Sequence, residues 1–167
     1  YIPNHSGGTE TRAADVCGGA GNANTFNDSE GVLYAEIAAL ANDGTNRAIA
    51  ISNGTTSNVV RFYYSTTDNR IVGNIKSVGT TVFNFNNVLT DSANFIKIAL
   101  RYKANDFKMY VNGVLVATDT SGNAPVGLNE LSFDNGANND DFYGNVKQIL
   151  VFNTALSDAD LAALTTI

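Results

Sequence analysis

The chain has 167 residues, a formal net charge of -6 and a sequence pI near 4.5. A chain of this length fits one domain, which buries roughly two thirds of the surface of its unfolded form and needs no disulfide. Its acidic charge, without any run of Lys or Arg, argues against nucleic acid and anionic membrane as partners. No apolar run approaches the roughly 20 residues of a membrane-spanning helix.

The N-terminal part differs from the rest of the chain. Residues 1–30 show little periodicity and two glycine pairs, so we predict a linker with an edge strand near residues 12–16, followed by a domain at 31–167. The missing initiator methionine indicates a segment of a longer polypeptide. Cys17, the single cysteine, is expected to be a small buried apolar residue, and His5, the single histidine, a solvated one.

From residue 31 onward, short apolar or alternating runs are separated by turn signals about every ten residues, the spacing of a β-sandwich or barrel. Asn112-Gly113 lies between two such runs and predicts a type I′ hairpin, because both residues tolerate positive φ. The predicted strands are residues 32–40, 47–52, 58–65, 70–75, 80–85, 95–102, 107–112, 114–118, 128–133 and 142–152.

The strand at residues 95–102 alternates apolar and basic side chains. Ile98 and Leu100 are expected on a buried face, with Lys97 and Arg101 on the opposite face. We therefore predict an antiparallel sheet with one face in solvent.

The tail predicts one helix, at residues 158–164. Ser157 is the expected N-cap and Asp160 the acid of a capping box. Leu156 and Leu161 have the spacing of a hydrophobic staple.

Two segments resemble laminin G-like and concanavalin A-like domains. KMYVNGVLVATD at residues 108–119 is similar to their strand-hairpin-strand, and FYGNVKQILVFNTALSDADLAAL at 142–164 is similar to their closing strand and acidic helix. The resemblance implies an all-β fold, an antiparallel two-sheet jelly-roll sandwich with one short C-terminal helix. Segments such as TRAADV and LNELSFDNG further resemble domains of phage tail and fibre proteins and of secreted proteins of marine bacteria.

One position departs from that superfamily. Many relatives carry an acidic pair just after the Gly-x-apolar of the closing strand, and some use a nearby acid to support Ca²⁺. Here Lys147 and Gln148 occupy this place, which weakens the implied metal site.

The acids do not form a catalytic pattern. Retaining glycosidases hold two carboxylates about 5 to 5.5 Å apart. The four glutamates, Glu10, Glu30, Glu36 and Glu130, are isolated from one another. His5, the one histidine, lies far in sequence from Cys17. We therefore expect a binding module and no enzyme.

The loop at residues 134–141 concentrates carboxylate and amide oxygens without a basic residue, which is the ligand chemistry of Ca²⁺. Its candidate metal ligands are Asp134, Asn138, Asp140 and Asp141, although their spacing is not that of an EF-hand. A flexible loop of Asx turns explains the same composition, so both interpretations stay open.

A second candidate site lies on a sheet face. Sugar recognition places an aromatic ring against the apolar side of a pyranose, and amide or guanidinium groups on its hydroxyls. Alternation predicts a polar face with the candidate ligand-binding residues Arg61, Tyr63, Arg70, Asn74 and Asn84. The alternative is an ordinary solvated face, or a contact with a neighbouring subunit.

From the resemblance and the isolated acids, we expect a carbohydrate-binding or adhesin-like module of a larger extracellular or virion protein. Its partners would be a cell-surface or environmental polysaccharide and neighbouring subunits or domains of the assembly. The alternative function is a structural domain of a phage tail, fibre or capsid decoration that makes only protein contacts.

Overall fold

The structure, a computed structural model, describes residues 18–167. The predicted edge strand near residues 12–16, His5 and Cys17 lie outside the described residues. Within the described part, ten β-strands form two five-stranded antiparallel sheets, and one α-helix follows them. The predicted two-sheet sandwich with a short C-terminal helix is confirmed.

Each strand predicted from residue 31 onward is present, with some ends shifted. The elements are β1 Glu30–Ala39, β2 Arg47–Ser52, β3 Val59–Tyr64, β4 Arg70–Ser77, β5 Thr80–Val88, β6 Ile96–Lys103, β7 Phe107–Val111, β8 Val114–Asp119, β9 Glu130–Ser132, β10 Gly144–Phe152 and α1 Asp158–Thr165. The first sheet has the order β10-β1-β6-β7-β8, and the second has the order β5-β4-β3-β2-β9.

The main core lies between the two sheets and is filled by alternate residues of each strand. Leu33 and Ile37 of β1, Leu100 of β6 and Phe62 of β3 are almost fully buried in it. Burying one such side chain stabilises the fold by about 1.5 to 3 kcal/mol. Phe26 also joins this core, while the predicted domain boundary at residue 30 stays a prediction.

The outer face of the first sheet is covered by α1. Ala99 of β6 and Leu161 of α1 belong to a second buried cluster on this face. Arg101 is only 5% exposed, and its guanidinium contacts Asp106 and, at 3.1 Å, Asp158. The prediction that Arg101 faces solvent is wrong, because alternation assigns a residue to one side of a sheet and does not reveal what covers that side.

The predicted hairpin and helix cap are confirmed. Asn112 and Gly113 have φ angles of 50° and 81° and connect the paired residues Val111 and Val114 of β7 and β8. Ser157 is the N-cap of α1, and its Oγ accepts a hydrogen bond from the Asp160 N–H at 3.2 Å.

The hydrophobic staple is also present, since Leu161 is fully buried and Leu156 packs against the same cluster. In residues 18–167, no helix has the length and apolar character needed to cross a membrane.

Candidate functional site

Three of the predicted ligand-binding residues form a row on the outer face of the second sheet. Arg61 on β3 is paired with Asn74 on β4, and Asn74 is paired with Asn84 on β5. The Arg61 Nε–H donates to Asn74 Oδ1 at 3.1 Å, and Asn74 Nδ2 donates to Asn84 Oδ1 at 3.3 Å. The sheet register therefore creates a hydrogen-bonded row across three strands.

Tyr63 lies beside this row, and Arg70 does not. The Arg61 Cζ atom is 5.4 Å from the centroid of the Tyr63 ring, within the range of a cation–π contact. Both side chains are partly exposed. Arg70 lies at the start of β4, opposite Val88 at the end of β5 and four residues before Asn74 on the same strand.

The loop at residues 134–141 folds over the same outer face. The Asn135 carbonyl accepts from Arg61 Nη1 at 3.3 Å, and the Asp140 carbonyl accepts from the Ala48 N–H at 2.9 Å. Gly136 lies against Ser52, where an added Cβ would come within 2.9 Å of the Ser52 Cβ. The loop can lie this close to the sheet because position 136 has no side chain.

A small pocket of about 100 Å³ remains between the loop and the sheet. It is lined by Asn46, Ala48, Arg61, Tyr63, Asn135 and Asp140. The two sites that the sequence predicts separately, one on the sheet and one on the loop, thus meet at this pocket. Sequence reasoning missed Asn46, Ala48 and Asn135. For Ala48 the signal is its pairing with Tyr63, which only the strand register reveals.

The pocket carries one positive and one negative side chain. Burial lowers the pKa of the Arg61 guanidinium, while Tyr63 and the Asp140 carboxylate raise it. Arginine nevertheless keeps its proton in proteins. Asp140 Oδ2 accepts from Asn135 Nδ2 at 3.0 Å. The pocket is therefore lined by a charged donor, Arg61 of the sheet, and a charged acceptor, Asp140 of the loop.

Aspartate and asparagine side chains of the loop make contacts typical of Asx turns. Asp134 Oδ1 accepts the Gly136 N–H at 2.6 Å, and Asn135 Oδ1 accepts the Ala137 N–H at 3.0 Å. Asn138 and Asp141 are exposed. Across residues 18–167, no three His, Cys, Asp or Glu side chains group as metal ligands. A calcium site at Asp134, Asn138, Asp140 and Asp141 stays a prediction.

The glutamates of the described part lie at other places. Glu30 pairs with Lys103 at 2.9 Å, and Glu36 pairs with Lys147 at 2.8 Å, both from β1 of the first sheet. Glu130 belongs to β9 of the second sheet. Among the residues that line the pocket, Asp140 is the single carboxylate.

Comparison with known families agrees with this architecture. Residues 20–162 match the family described as the concanavalin A-like lectin/glucanases superfamily, and the chain belongs to that family. No curated protein sequence matches the chain.

Several solved structures share the fold at low sequence identity. CBM40 of the Ruminococcus gnavus IT-sialidase is 16% identical with a TM-score of 0.70, and the match covers 92% of this chain and 96% of that one. The same CBM40 has been solved bound to alpha2,3 sialyllactose. The leech intramolecular trans-sialidase is 17% identical with a TM-score of 0.68, and the match covers 92% of this chain but only 27% of that protein.

A SAP-like pentraxin from Limulus polyphemus is 9% identical with a TM-score of 0.65, and the match covers 93% of this chain and 77% of the pentraxin. At these identities the similarity establishes the fold alone.

Proposed function

We propose that this chain is a non-catalytic carbohydrate-binding module whose sugar site is the pocket between β3 and the loop at residues 134–141. The observation that carries the proposal is that residues with an aromatic ring, a guanidinium, two amides and a carboxylate line one small cavity. Tyr63 would contact the apolar side of a pyranose, and the four polar groups would bind its hydroxyls.

The structural neighbours support this proposal. CBM40, a carbohydrate-binding module, matches this chain over nearly its whole length and has been solved with two sialyllactose isomers. The match to the leech trans-sialidase extends over only about a quarter of that enzyme. Because the pocket holds a single carboxylate, we expect no glycosidase turnover, which requires an acid together with a base or nucleophile.

The setting of the module is a further part of the proposal. We place it in a larger extracellular or virion-surface protein that contacts a cell-surface or environmental polysaccharide. The abundance of Asn, Thr, Ser and Gly supports this setting, since loop-rich extracellular β-proteins use these residues in turns.

One observation favours a second function, a structural domain that contacts only protein. An open groove of about 450 Å³ lies at one end of the sandwich, and apolar side chains line part of it. Val88 and Val114 in this groove are 67% and 59% exposed. Exposed apolar surface of this kind is typical of protein contacts.

Glycan-array binding followed by isothermal titration of Tyr63→Ala separates the two functions. The ring contact that is lost predicts affinity weaker by roughly 5- to 30-fold, which corresponds to about 1 to 2 kcal/mol. Tyr143→Ala is the matched control, because Tyr143 is exposed and lies outside the pocket. Equal affinities of Tyr63→Ala and wild type would show that the sugar site lies outside this pocket. If no glycan on the array bound, the structural function would be favoured.

A further inference from the structure

The charges of the pocket residues nearly cancel. Arg61 contributes one positive charge and Asp140 one negative charge, while Asn46, Ala48, Tyr63 and Asn135 are neutral. The whole chain has a net charge of -6. An anionic ligand would therefore meet no excess of positive charge at the pocket, and the field of the whole protein would oppose its approach.

The donors of Arg61 are already partly used by the protein. Its Nε donates to Asn74 Oδ1 and its Nη1 donates to the Asn135 carbonyl. A carboxylate is held most firmly by two parallel N–H bonds from one guanidinium. The edge formed by Nε and Nη2 cannot offer both donors, because Asn74 occupies Nε. Nη2 has no hydrogen-bond partner among residues 18–167, and Nη1 keeps one further N–H group, so these two nitrogens supply the donors that remain for a ligand.

Asp140 supplies the complementary acceptor. One of its carboxylate oxygens accepts from Asn135, and the other has no hydrogen-bond donor within the described chain. A carboxylate on the ligand would face this like charge inside a small cavity. A hydroxyl group, in contrast, can donate to Asp140 and accept from Arg61, because each hydroxyl is both a donor and an acceptor.

We propose, building on the carbohydrate-binding function, that the pocket selects uncharged sugars through two neighbouring hydroxyls and discriminates against carboxylated sugars. One hydroxyl accepts from Arg61 Nη2, and its neighbour donates to the Asp140 carboxylate. At about 100 Å³, the pocket is smaller than the roughly 300 to 1,000 Å³ of sites that enclose a drug-sized ligand. It therefore takes one edge of a single sugar, while the rest of the glycan lies on the sheet face.

The test is an array of matched neutral and carboxylated oligosaccharides that includes alpha2,3 sialyllactose, followed by titration of the strongest neutral binder and its uronic acid counterpart. We expect the neutral sugar to bind at least tenfold more tightly. Asp140→Asn should weaken neutral binding and shrink the preference, because it removes the charge that repels the acid. The backbone tolerates this change, since Asp140 has a φ of 57° and Asn readily adopts that conformation.

Asp141→Asn is the matched control. It makes the same change in net charge at an exposed neighbouring position that does not line the pocket, so the preference should stay as in wild type. Melting temperatures of both variants establish that each is folded. Equal or tighter binding of the carboxylated sugars by wild type would overturn this inference and leave the proposed carbohydrate function standing. An array silent for both classes would overturn both.

Discussion

The side-chain oxygen of Asn74 accepts the Nε–H of Arg61 at 3.1 Å across the paired strands β3 and β4. Asn74 is only 5% exposed and is not among the residues that line the pocket. Its amide also donates to Asn84 Oδ1 and to the Phe83 carbonyl, which fixes its orientation. Asn74 is therefore a positioning residue for the guanidinium.

Asn74→Ala should weaken sugar binding by about fivefold, because a net contribution of about 1 kcal/mol is typical of one hydrogen bond. Asn74→Asp keeps the acceptor oxygen and should retain most of the affinity, although it loses the donor to Phe83 and Asn84. Titration of both variants against the array ligand provides the measurement. If Asn74→Asp bound as poorly as Asn74→Ala, the role of Asn74 in holding Arg61 would be wrong.

Gly113→Val should lower the free energy of unfolding by about 1 kcal/mol or more. A β-branched residue resists the φ of 81° at this turn, and its Cβ would lie 3.2 Å from Thr166 Oγ1 beside the C-terminal helix. Gly79→Val is the comparison, because Gly79 has a φ of 80° and nothing within 4 Å of an added Cβ. Urea denaturation should show the larger loss for Gly113→Val, and equal losses would mean that the helix contact is unimportant.

Val78→Asn should stabilise the protein by about 1 kcal/mol. Val78 has a φ of 49°, a left-handed conformation that costs an L-residue roughly 1 to 2 kcal/mol and that Asn adopts more readily. Its side chain is 73% exposed, so the substitution removes little packing. The midpoint of urea denaturation should rise, and an unchanged midpoint would mean that the turn stores no strain.

These two hairpins show how far turn chemistry can be read from sequence. Asn112-Gly113 is the preferred pair for a type I′ turn, and the structure confirms it. Val78-Gly79 joins β4 and β5 with the same two positive φ angles, but valine gives no signal for such a turn. Asn58 holds this turn by accepting the Val78 N–H at 3.0 Å, a contact between residues 20 apart.

The sequence likewise predicts the sheet face of the candidate site but not the loop that completes it. Alternation placed Arg61 and Tyr63 on one face and predicted the polar composition of that face. The contact of Arg61 with Asn135 joins residues 74 apart in sequence, and no local pattern indicates it. Alternation also predicts Arg70 on this face, because it is in phase with Asn74. Arg70 nevertheless lies at the far end of the strand, since phase determines the face and not the position along it.

Calcium provides a direct test of the loop at residues 134–141. A bound metal would stabilise the domain by mass action, by about 2.7 kcal/mol at a hundredfold excess over the dissociation constant. Because the Asp134 and Asp140 carboxylates already accept hydrogen bonds within the loop, we expect equal melting temperatures in calcium and in EDTA. A melting temperature that rises with calcium, and does not rise in Asp140→Asn, would establish the metal site.

Alkaline pH should destabilise the domain through its buried tyrosines. Tyr102 is fully buried, and its hydroxyl donates to the Asn27 carbonyl at 2.8 Å. Burial raises the pKa of Tyr102 above its ordinary value of 10, and burial raises the pKa of Tyr64 in the same way. In the unfolded chain both phenols lose their protons near pH 10, so the folded state then holds more protons than the unfolded state.

The contribution of Tyr102 to stability is therefore complete below pH 10 and declines as the pH rises further, by about 1.4 kcal/mol per pH unit. Urea denaturation of wild type and Tyr102→Phe between pH 8 and pH 11.5 measures this slope. Tyr102→Phe should be less stable at pH 8, because it loses the bond to Asn27, and should lose stability less steeply above pH 10. Tyr143→Phe, at an exposed position, should keep the wild-type slope. Parallel curves for wild type and Tyr102→Phe above pH 10 would show that the Tyr102 phenol ionises as easily in the folded protein as in the unfolded chain.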